Sequence, residues 1–200
     1  GFYKVAFTLS GGDHRAMATE HFTFVRAEEG PGSDAIAITA SMSLADNRVN
    51  TARSVMRLGF TQMRTYHLGS WGSFQPREDA WVSFAPLLDA FFGETGLRTQ
   101  VNLSNVPPWM LGPEESRYSY PWELIEDYGE YVRRAAVEMR PWLSSVAFRN
   151  EPDAHFHSST AAYVAYAKAL YTNIQAVTPD VEVLGIQPTS SGAGANVPYV

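Results

Sequence analysis

The sequence predicts an α/β fold in which a parallel sheet is built from strands that alternate with helices. From Asp34 onward, short runs of strand-forming residues alternate with longer segments whose apolar residues recur every three or four positions. Units of this kind place their strands in one parallel sheet. The residues alone allow an open or a closed sheet. No glycine-rich loop follows the first strand, although an open doubly wound sheet usually has one there.

The first 27 residues have a different pattern and predict a separate unit. Large apolar residues alternate with small or polar ones from Tyr3 to Leu9, which is typical of a half-buried strand. A Ser-Gly-Gly-Asp turn follows, and a second strand is expected at 21–25. Because two strands alone are not stable, we expect residues 1–27 to be the closing strands of a β-sandwich. Residues 28–33 then form a linker.

Residues 34–200 predict five strands with helices between them. Asp46 is a suitable N-cap for the first helix, and Gly59 ends it. Pro86 interrupts the second helix, whereas Pro121 stands at a helix start, where proline is favoured. The last helix has a periodic apolar stripe from Tyr163 to Ile174. The strands are expected at 35–40, 60–66, 98–103, 144–149 and 181–186, and the helices at 46–58, 79–92, 121–139 and 160–177.

Composition excludes several classes of function. The net charge is −6 and no basic stripe is present, which disfavours nucleic acid as a partner. The chain has no run of about 18 apolar residues that would span a membrane. It has no cysteine, and therefore neither disulfides nor thiolate sites. The lack of cysteine is a weak guide to the compartment.

The tripeptide Asn150-Glu151-Pro152 stands at the end of the fourth predicted strand. Pro152 disfavours the helical region for Glu151 and predicts an extended backbone there. Catalytic groups of α/β barrels collect where strands end. Glu151 is therefore a candidate catalytic carboxylic acid. The alternative is a solvated glutamate in a loop.

Further candidate residues follow the second and third strands. Arg64 lies near the end of the second strand, and Tyr66 and His67 come next and could line a cleft. Trp109 follows a Pro-Pro pair after the third strand, and its flat ring suits the apolar face of a sugar. A structural role at the barrel rim is equally open for it. Weaker candidates for stacking are Trp71, Tyr118 and Tyr120.

His155 and His157 form a His-x-His pair after the fourth strand. Such a pair could hold a metal ion. Metal-dependent barrel hydrolases, however, usually carry it on an early strand. A histidine that lines a sugar subsite, in particular His155, is the favoured interpretation, and no metal or other cofactor is expected.

Together, Asn150-Glu151 after a fourth strand and Arg64 at the end of a second strand resemble the clan A glycoside hydrolases, which are retaining enzymes with a (β/α)8 TIM-barrel fold. The preceding sandwich-like strands are loosely similar to family 39 and its relatives. The resemblance implies that Glu151 is the general acid/base, that Asn150 binds sugar and that Arg64 contacts the nucleophile. It further implies an oligo- or polysaccharide substrate and favours a secreted or periplasmic location.

The nucleophile of this clan is a glutamate at the end of the seventh strand, and no residue here matches it. The resemblance therefore implies a barrel truncated to about its first five βα units. Asp153, Glu114 and Glu115 are loop carboxylates without strand-end context. Alternatives to a retaining β-glycoside hydrolase are a non-catalytic carbohydrate-binding barrel and a metal-dependent hydrolase that uses His155 and His157.

Overall fold

The computed structural model describes residues 2–11, 14–23, 37–40, 52, 55, 60–65 and 68–187. Strands β1 (Phe2–Gly11) and β2 (His14–Thr23) form an antiparallel hairpin that is paired along its whole length. The predicted start of the second strand is wrong, because β2 begins seven residues earlier. Its first residues lack clear apolar alternation, but ladder hydrogen bonds come from the backbone and do not need that pattern. The β-sandwich assignment stays a prediction.

A second sheet contains five parallel strands in the order β3-β4-β5-β6-β7. Four of these strands lie within the predicted runs, and β6 begins one residue before its predicted start. Because all five strands are parallel, their carboxyl ends lie along one edge of the sheet, which is where α/β barrels place their sites. The strands are β3 (Ala37–Ala40), β4 (Gln62–Thr65), β5 (Arg98–Asn102), β6 (Leu143–Ala147) and β7 (Glu182–Val183).

In the described residues, helices connect the strands from β4 to β7. Short 3-10 turns precede and follow the third helix, and a π-turn extends the second. The predicted helix at 46–58 lies outside the described residues, except for Ala52 and Val55, which are buried. The helices are α1 (Trp71–Phe74), α2 (Ala85–Leu88), α3 (Ile125–Met139), α4 (Pro152–His155) and α5 (Thr160–Val177).

The predicted helix at 79–92 begins too early in the sequence. Helix α2 begins at Ala85, with Pro86 in its first turn, where a missing N–H costs nothing. The carboxylate of Glu138, in α3, accepts hydrogen bonds from the backbone N–H groups of Phe84 and Ala85. This capping by a distant helix sets the start of α2, and sequence periodicity could not reveal it.

The predicted apolar face of α3 is buried, whereas the predicted stripe of α5 is right only in part, because Tyr163 and Ala167 are half-buried. In α3, the side chains of Tyr128, Val132, Ala135 and Met139 are fully buried. Helix α5 begins after Ser159, whose hydroxyl accepts a hydrogen bond from the Ala162 N–H at 3.2 Å. Burial of these faces against the sheet supplies most of the helical stability. The residues of α5 that are buried are Ala162, Tyr166, Leu170 and Ile174.

Helices α3 and α5 pack against each other and against the end of β6 through aromatic rings. Tyr166 contacts Tyr128 with ring centroids 5.0 Å apart and stacks on Phe148 at 5.7 Å. Phe148 follows β6 directly, so this packing fixes the segment that leaves the strand. In the part of the chain that the structure describes, no helix is both long and apolar enough to cross a lipid bilayer.

Candidate active site

The carboxyl edge of the parallel sheet brings four polar side chains together. Arg64, in β4, donates through Nη2 to Asn150 Oδ1 and to Gln187 Oε1, both at 2.6 Å. Asn102, the last residue of β5, has its Oδ1 3.4 Å from the same nitrogen, and its Nδ2 donates to Gln187 Oε1 at 3.3 Å. The structure thus brings Arg64 and Asn150 into contact. The guanidinium joins the ends of three strands to the segment after β7.

Glu151 follows this cluster and has an unusual backbone. Its φ of 50° and ψ of 57° lie in the left-handed region. The predicted extended backbone is therefore wrong: Pro152 disfavours the right-handed helical region, but the chain takes the left-handed one. The Glu151 N–H donates to Gln187 O at 2.8 Å, and its carbonyl accepts from the N–H groups of Ala154 and His155. Such backbone strain clusters at functional sites.

Two aromatic residues hold the segment that carries Glu151. Phe148, on one side, is 2% exposed and stacks on Tyr166 with an interplanar angle of 13°. Phe156, on the other side, stacks on Tyr120 with centroids 5.0 Å apart. Because close-packed rings leave little room for movement, the backbone between them is held in place. This packing compensates for the strain at Glu151.

The carboxyl group of Glu151 is accessible. Its side chain is 41% exposed, and Oε2 lies 3.8 Å from Nε2 of His155, one turn further along α4. Glu151 comes four residues after the end of β6. Within the described ranges, no other carboxylate stands so close behind a strand of the parallel sheet. Glu151 is thus the acidic group that this edge of the sheet presents.

A cavity of about 140 Å³ opens beside the cluster, and Asn102, Asn150 and His155 contribute to its lining. Arg149 also lines it, although its side chain is only 6% exposed. Arg149 Nη1 donates to Asn105 Oδ1 at 2.7 Å and to the Tyr120 hydroxyl at 3.3 Å. A buried guanidinium therefore borders the space next to Glu151.

Tyr118 forms another wall of this cavity. Its ring lies close to the rings of His155 and His157, with centroids 5.5 and 5.4 Å away. Arg117 donates a hydrogen bond to the Tyr118 hydroxyl at 2.8 Å. That bond, reinforced by the charges of Arg117 and Arg149, lowers the pKa of Tyr118 below its ordinary value. The guanidinium groups of Arg117 and Arg149 place positive charge at the cavity wall.

The structure does not bring Trp109 to this cavity. Trp109 is 38% exposed, and its Nε1 donates to the carbonyl oxygen of Gln75 at 2.9 Å. It lines a different cavity of about 350 Å³ together with Trp81 and Arg134. Its role as a sugar platform stays a prediction. Tyr66 and His67 lie outside the residues that the structure describes.

Two of the weaker aromatic candidates are buried. Trp71 and Tyr120 are each 1% exposed, so neither ring can stack on a sugar. Trp71 stacks instead on Tyr131, with centroids 5.3 Å apart. The Tyr120 hydroxyl accepts a hydrogen bond from the backbone N–H of Asn105, which has a positive φ of 64°. Tyr120 therefore holds the loop that follows β5, whereas Trp71 packs in the core.

The two histidines of the pair face different partners. His157 Nδ1 lies 3.1 Å from the hydroxyl oxygen of Ser116, whereas His155 Nε2 lies near Glu151. Among the residues described, no group of three or more histidine, aspartate or glutamate side chains is arranged to hold a metal ion.

Sequence reasoning missed several residues of the site, among them Asn102, Arg149 and Gln187. Asn102 and Arg149 are polar residues at the ends of buried strands, a signal that could have identified them. Gln187 carried no such signal, because only the pairing of its backbone with Asn150 brings it to the site.

The sequence and the structure of the chain were compared with those of known proteins. No protein-family model and no curated protein sequence matches the chain. A family 39 glycoside hydrolase from the gut symbiont Bacteroides cellulosilyticus WH2 is similar in structure over 92% of the chain, with a TM-score of 0.60 and 16% identity. The exo-beta-1,4-mannosidase Op5Man5 from Opitutaceae bacterium strain TAV5 matches over 81%, with a TM-score of 0.58 and 21% identity.

Both of these solved structures are glycoside hydrolases, and so is the next one. A third is a GH5_18 variant from Streptomyces cattleya in complex with Manb1-4GlcNAc, which matches 68% of the chain with a TM-score of 0.53 and 19% identity. The chain spans only 38%, 33% and 38% of the three structures, respectively. At such low identity the similarity shows the fold alone.

Proposed function

We propose that this chain carries the acid/base half of a retaining β-glycoside hydrolase, with Glu151 as general acid and then general base. The observation that carries the proposal is the position of Glu151. It is an accessible carboxyl group behind the carboxyl end of β6, held by packing on both sides and adjacent to Asn150. Catalytic groups of α/β barrels stand at this end of the strands.

The geometry suits proton transfer to a glycosidic oxygen. In the first step, protonated Glu151 donates its proton to the leaving oxygen as the bond to the anomeric carbon breaks. In the second step, ionised Glu151 takes a proton from the attacking water. Asn150 is suited to donate a hydrogen bond to a sugar hydroxyl, because Arg64 holds its Oδ1 and thereby leaves the amide N–H groups for the ligand.

The retaining reaction also needs a second carboxylate, about 5–5.5 Å from the first, to attack the anomeric carbon. We place this nucleophile outside the described residues, because Glu151 is their one carboxylate directly behind a strand of the sheet. Arg64, which faces the same edge, is suited to contact it. The proposed substrate is a β-linked glycoside or polysaccharide.

The decisive experiment replaces Glu151 with Gln in the full-length protein. We expect turnover of a natural β-glycoside to fall by about 10²–10⁴-fold, with an unchanged melting temperature. The loss in kcat/KM, which reports the first step, should be much smaller for aryl glycosides with good leaving groups, because these need no protonation. A matched control is Asp153→Asn, two residues along α4, which we expect to retain activity. Unchanged turnover of the natural glycoside by Glu151→Gln would refute the proposal.

A non-catalytic carbohydrate-binding barrel is the second candidate. The single strand-end carboxylate among the described residues favours it, since one carboxylate can bind sugar but cannot complete retaining hydrolysis. The two candidates differ in one measurement. A carbohydrate-binding barrel would bind the glycoside with no release of reducing sugar, whereas the proposed enzyme releases it.

A further inference from the structure

Among the described residues, the cavity beside Glu151 is lined by basic side chains and by no acidic ones. Its volume of about 140 Å³ is well above the roughly 10–15 Å³ that one water molecule needs. Arg117, Arg149 and His155 are among its lining residues, and the others are asparagine, serine and tyrosine side chains with no Asp or Glu. Such a lining offers hydrogen-bond donors and positive charge to whatever enters.

Arg149 is the unusual member of this lining. Its side chain is buried, and its partners are neutral, namely the Asn105 amide oxygen, the Tyr120 hydroxyl and the face of the Tyr118 ring. Within the part of the chain that the structure describes, it has no ion pair, and its Nε lacks a hydrogen-bond partner. A buried charge without a counter-charge is costly, so an anion that enters the cavity would relieve this cost.

The guanidinium group of Arg149 is also held in a fixed orientation. Tyr118 lies beneath the guanidinium, with Cζ 4.5 Å from the ring centroid, and Asn105 holds one of its terminal nitrogens. A guanidinium that is already oriented loses little freedom on binding and matches the planar geometry of a carboxylate. Arg117, exposed on the same wall, adds a second positive charge.

We infer that this cavity is a subsite for an anionic substituent of the sugar, either the carboxylate of a uronic acid or a sulfate ester. The inference rests on the proposed function, because the cavity adjoins Glu151 through Asn150 and His155. It narrows the substrate class to acidic β-linked saccharides. Arg149 and Arg117 bind the anion, and Asn150 and Asn102 orient the sugar ring that bears it.

The test compares three probes with the same sugar ring by isothermal titration calorimetry on the full chain: methyl β-D-glucuronide, a sulfated methyl β-D-glucoside and uncharged methyl β-D-glucoside. We expect at least one anionic probe to bind roughly 10- to 100-fold more tightly than the neutral one, as charge-assisted hydrogen bonds predict. The preference should shrink with added salt, since salt screens the attraction. The probe with the higher affinity identifies the source of the anion.

Three variants test the role of the cavity. Arg149→Met and, independently, Arg117→Met should remove most of the preference for the anionic probe over the neutral glucoside. Arg149→Lys should retain part of it. The control Arg133→Met removes one positive charge from the exposed face of α3, where Arg133 pairs with Glu130, and should keep the full preference. If Arg149→Met does not fold, Arg117→Met and Arg149→Lys decide.

The outcomes separate this inference from the proposed function. Equal affinity for the three probes, no binding of either anionic probe, or a preference that survives both Arg117→Met and Arg149→Met would overturn the anionic subsite. None of these results depends on proton transfer by Glu151. Conversely, tight binding of an anionic probe together with unchanged turnover by Glu151→Gln would support the subsite and refute the assignment of the acid/base.

Discussion

Replacing Arg64 with Met should destabilise the fold by an amount that its contacts predict. The Nη2 atom of Arg64 makes two short hydrogen bonds, to Asn150 and Gln187, each at 2.6 Å. Hydrogen bonds that involve a charged group contribute about 1.5–3 kcal/mol each, which gives an upper bound of about 3–6 kcal/mol. Because the site is only partly buried, the amides left behind can bind water. We therefore expect a loss of about 2–4 kcal/mol in the free energy of unfolding.

The assay is urea denaturation followed by far-ultraviolet circular dichroism, with the slope of the transition compared between variants. Arg133→Met is the matched control. Arg133 also makes two hydrogen bonds at 2.6 Å, to Glu130 and Asn173, but its side chain is 45% exposed. Exposed pairs contribute about 0–1 kcal/mol, so this variant should change stability by less than about 1 kcal/mol.

The comparison tests burial at the sheet edge, since each arginine makes two hydrogen bonds of 2.6 Å and Arg64 adds only a longer contact, at 3.4 Å, to Asn102. Equal stability losses for Arg64→Met and Arg133→Met would refute the argument that the Arg64 cluster holds the strand ends together. A loss of less than about 0.5 kcal/mol for Arg64→Met would refute it as well, because surface substitutions without structural effect fall in that range.

Three further outcomes are expected. The free energy of unfolding should be about 1 kcal/mol larger for Glu151→Gly than for Glu151→Ala, because glycine accepts the left-handed backbone. A glycine variant that is less stable than the alanine variant would contradict this strain. Tyr128→Phe should cost about 1–3 kcal/mol in urea denaturation, because it removes the buried bond to Leu103 O at 2.7 Å, whereas exposed Tyr171→Phe should cost almost nothing. The 200-residue chain alone should not hydrolyse activated aryl β-glycosides, and turnover that disappears in Asp153→Asn would reveal a second catalytic carboxylate.

Much of the fold could be predicted because its signals are local. Helix α5 occupies the predicted residues 160–177, since its apolar residues and its capping serine are close together in the sequence. The order of strands and helices from Asp34 follows from the same periodicity. Helix α2 is the exception, because its start depends on Glu138, which is distant in the sequence.

For the site, the sequence by itself determined which acid stands at the end of β6. Asn150, Glu151 and Pro152 are consecutive, so their position behind a strand needs only local information. The left-handed backbone of Glu151 could not be predicted, because proline only disfavours the right-handed region. The hydrogen bond from the Glu151 N–H to Gln187 O and the aromatic packing on both sides accompany the observed conformation.

Only the tertiary structure decided what surrounds that acid. Arg64, Asn102 and Gln187 meet Asn150 because parallel pairing aligns the ends of strands that are 38 to 123 residues apart in the chain. The same alignment separates Trp109 from the cavity beside Glu151 and buries the charge of Arg149 next to it. Side-chain burial and charge pairing depend on contacts between distant segments, and a local pattern carries no information about them.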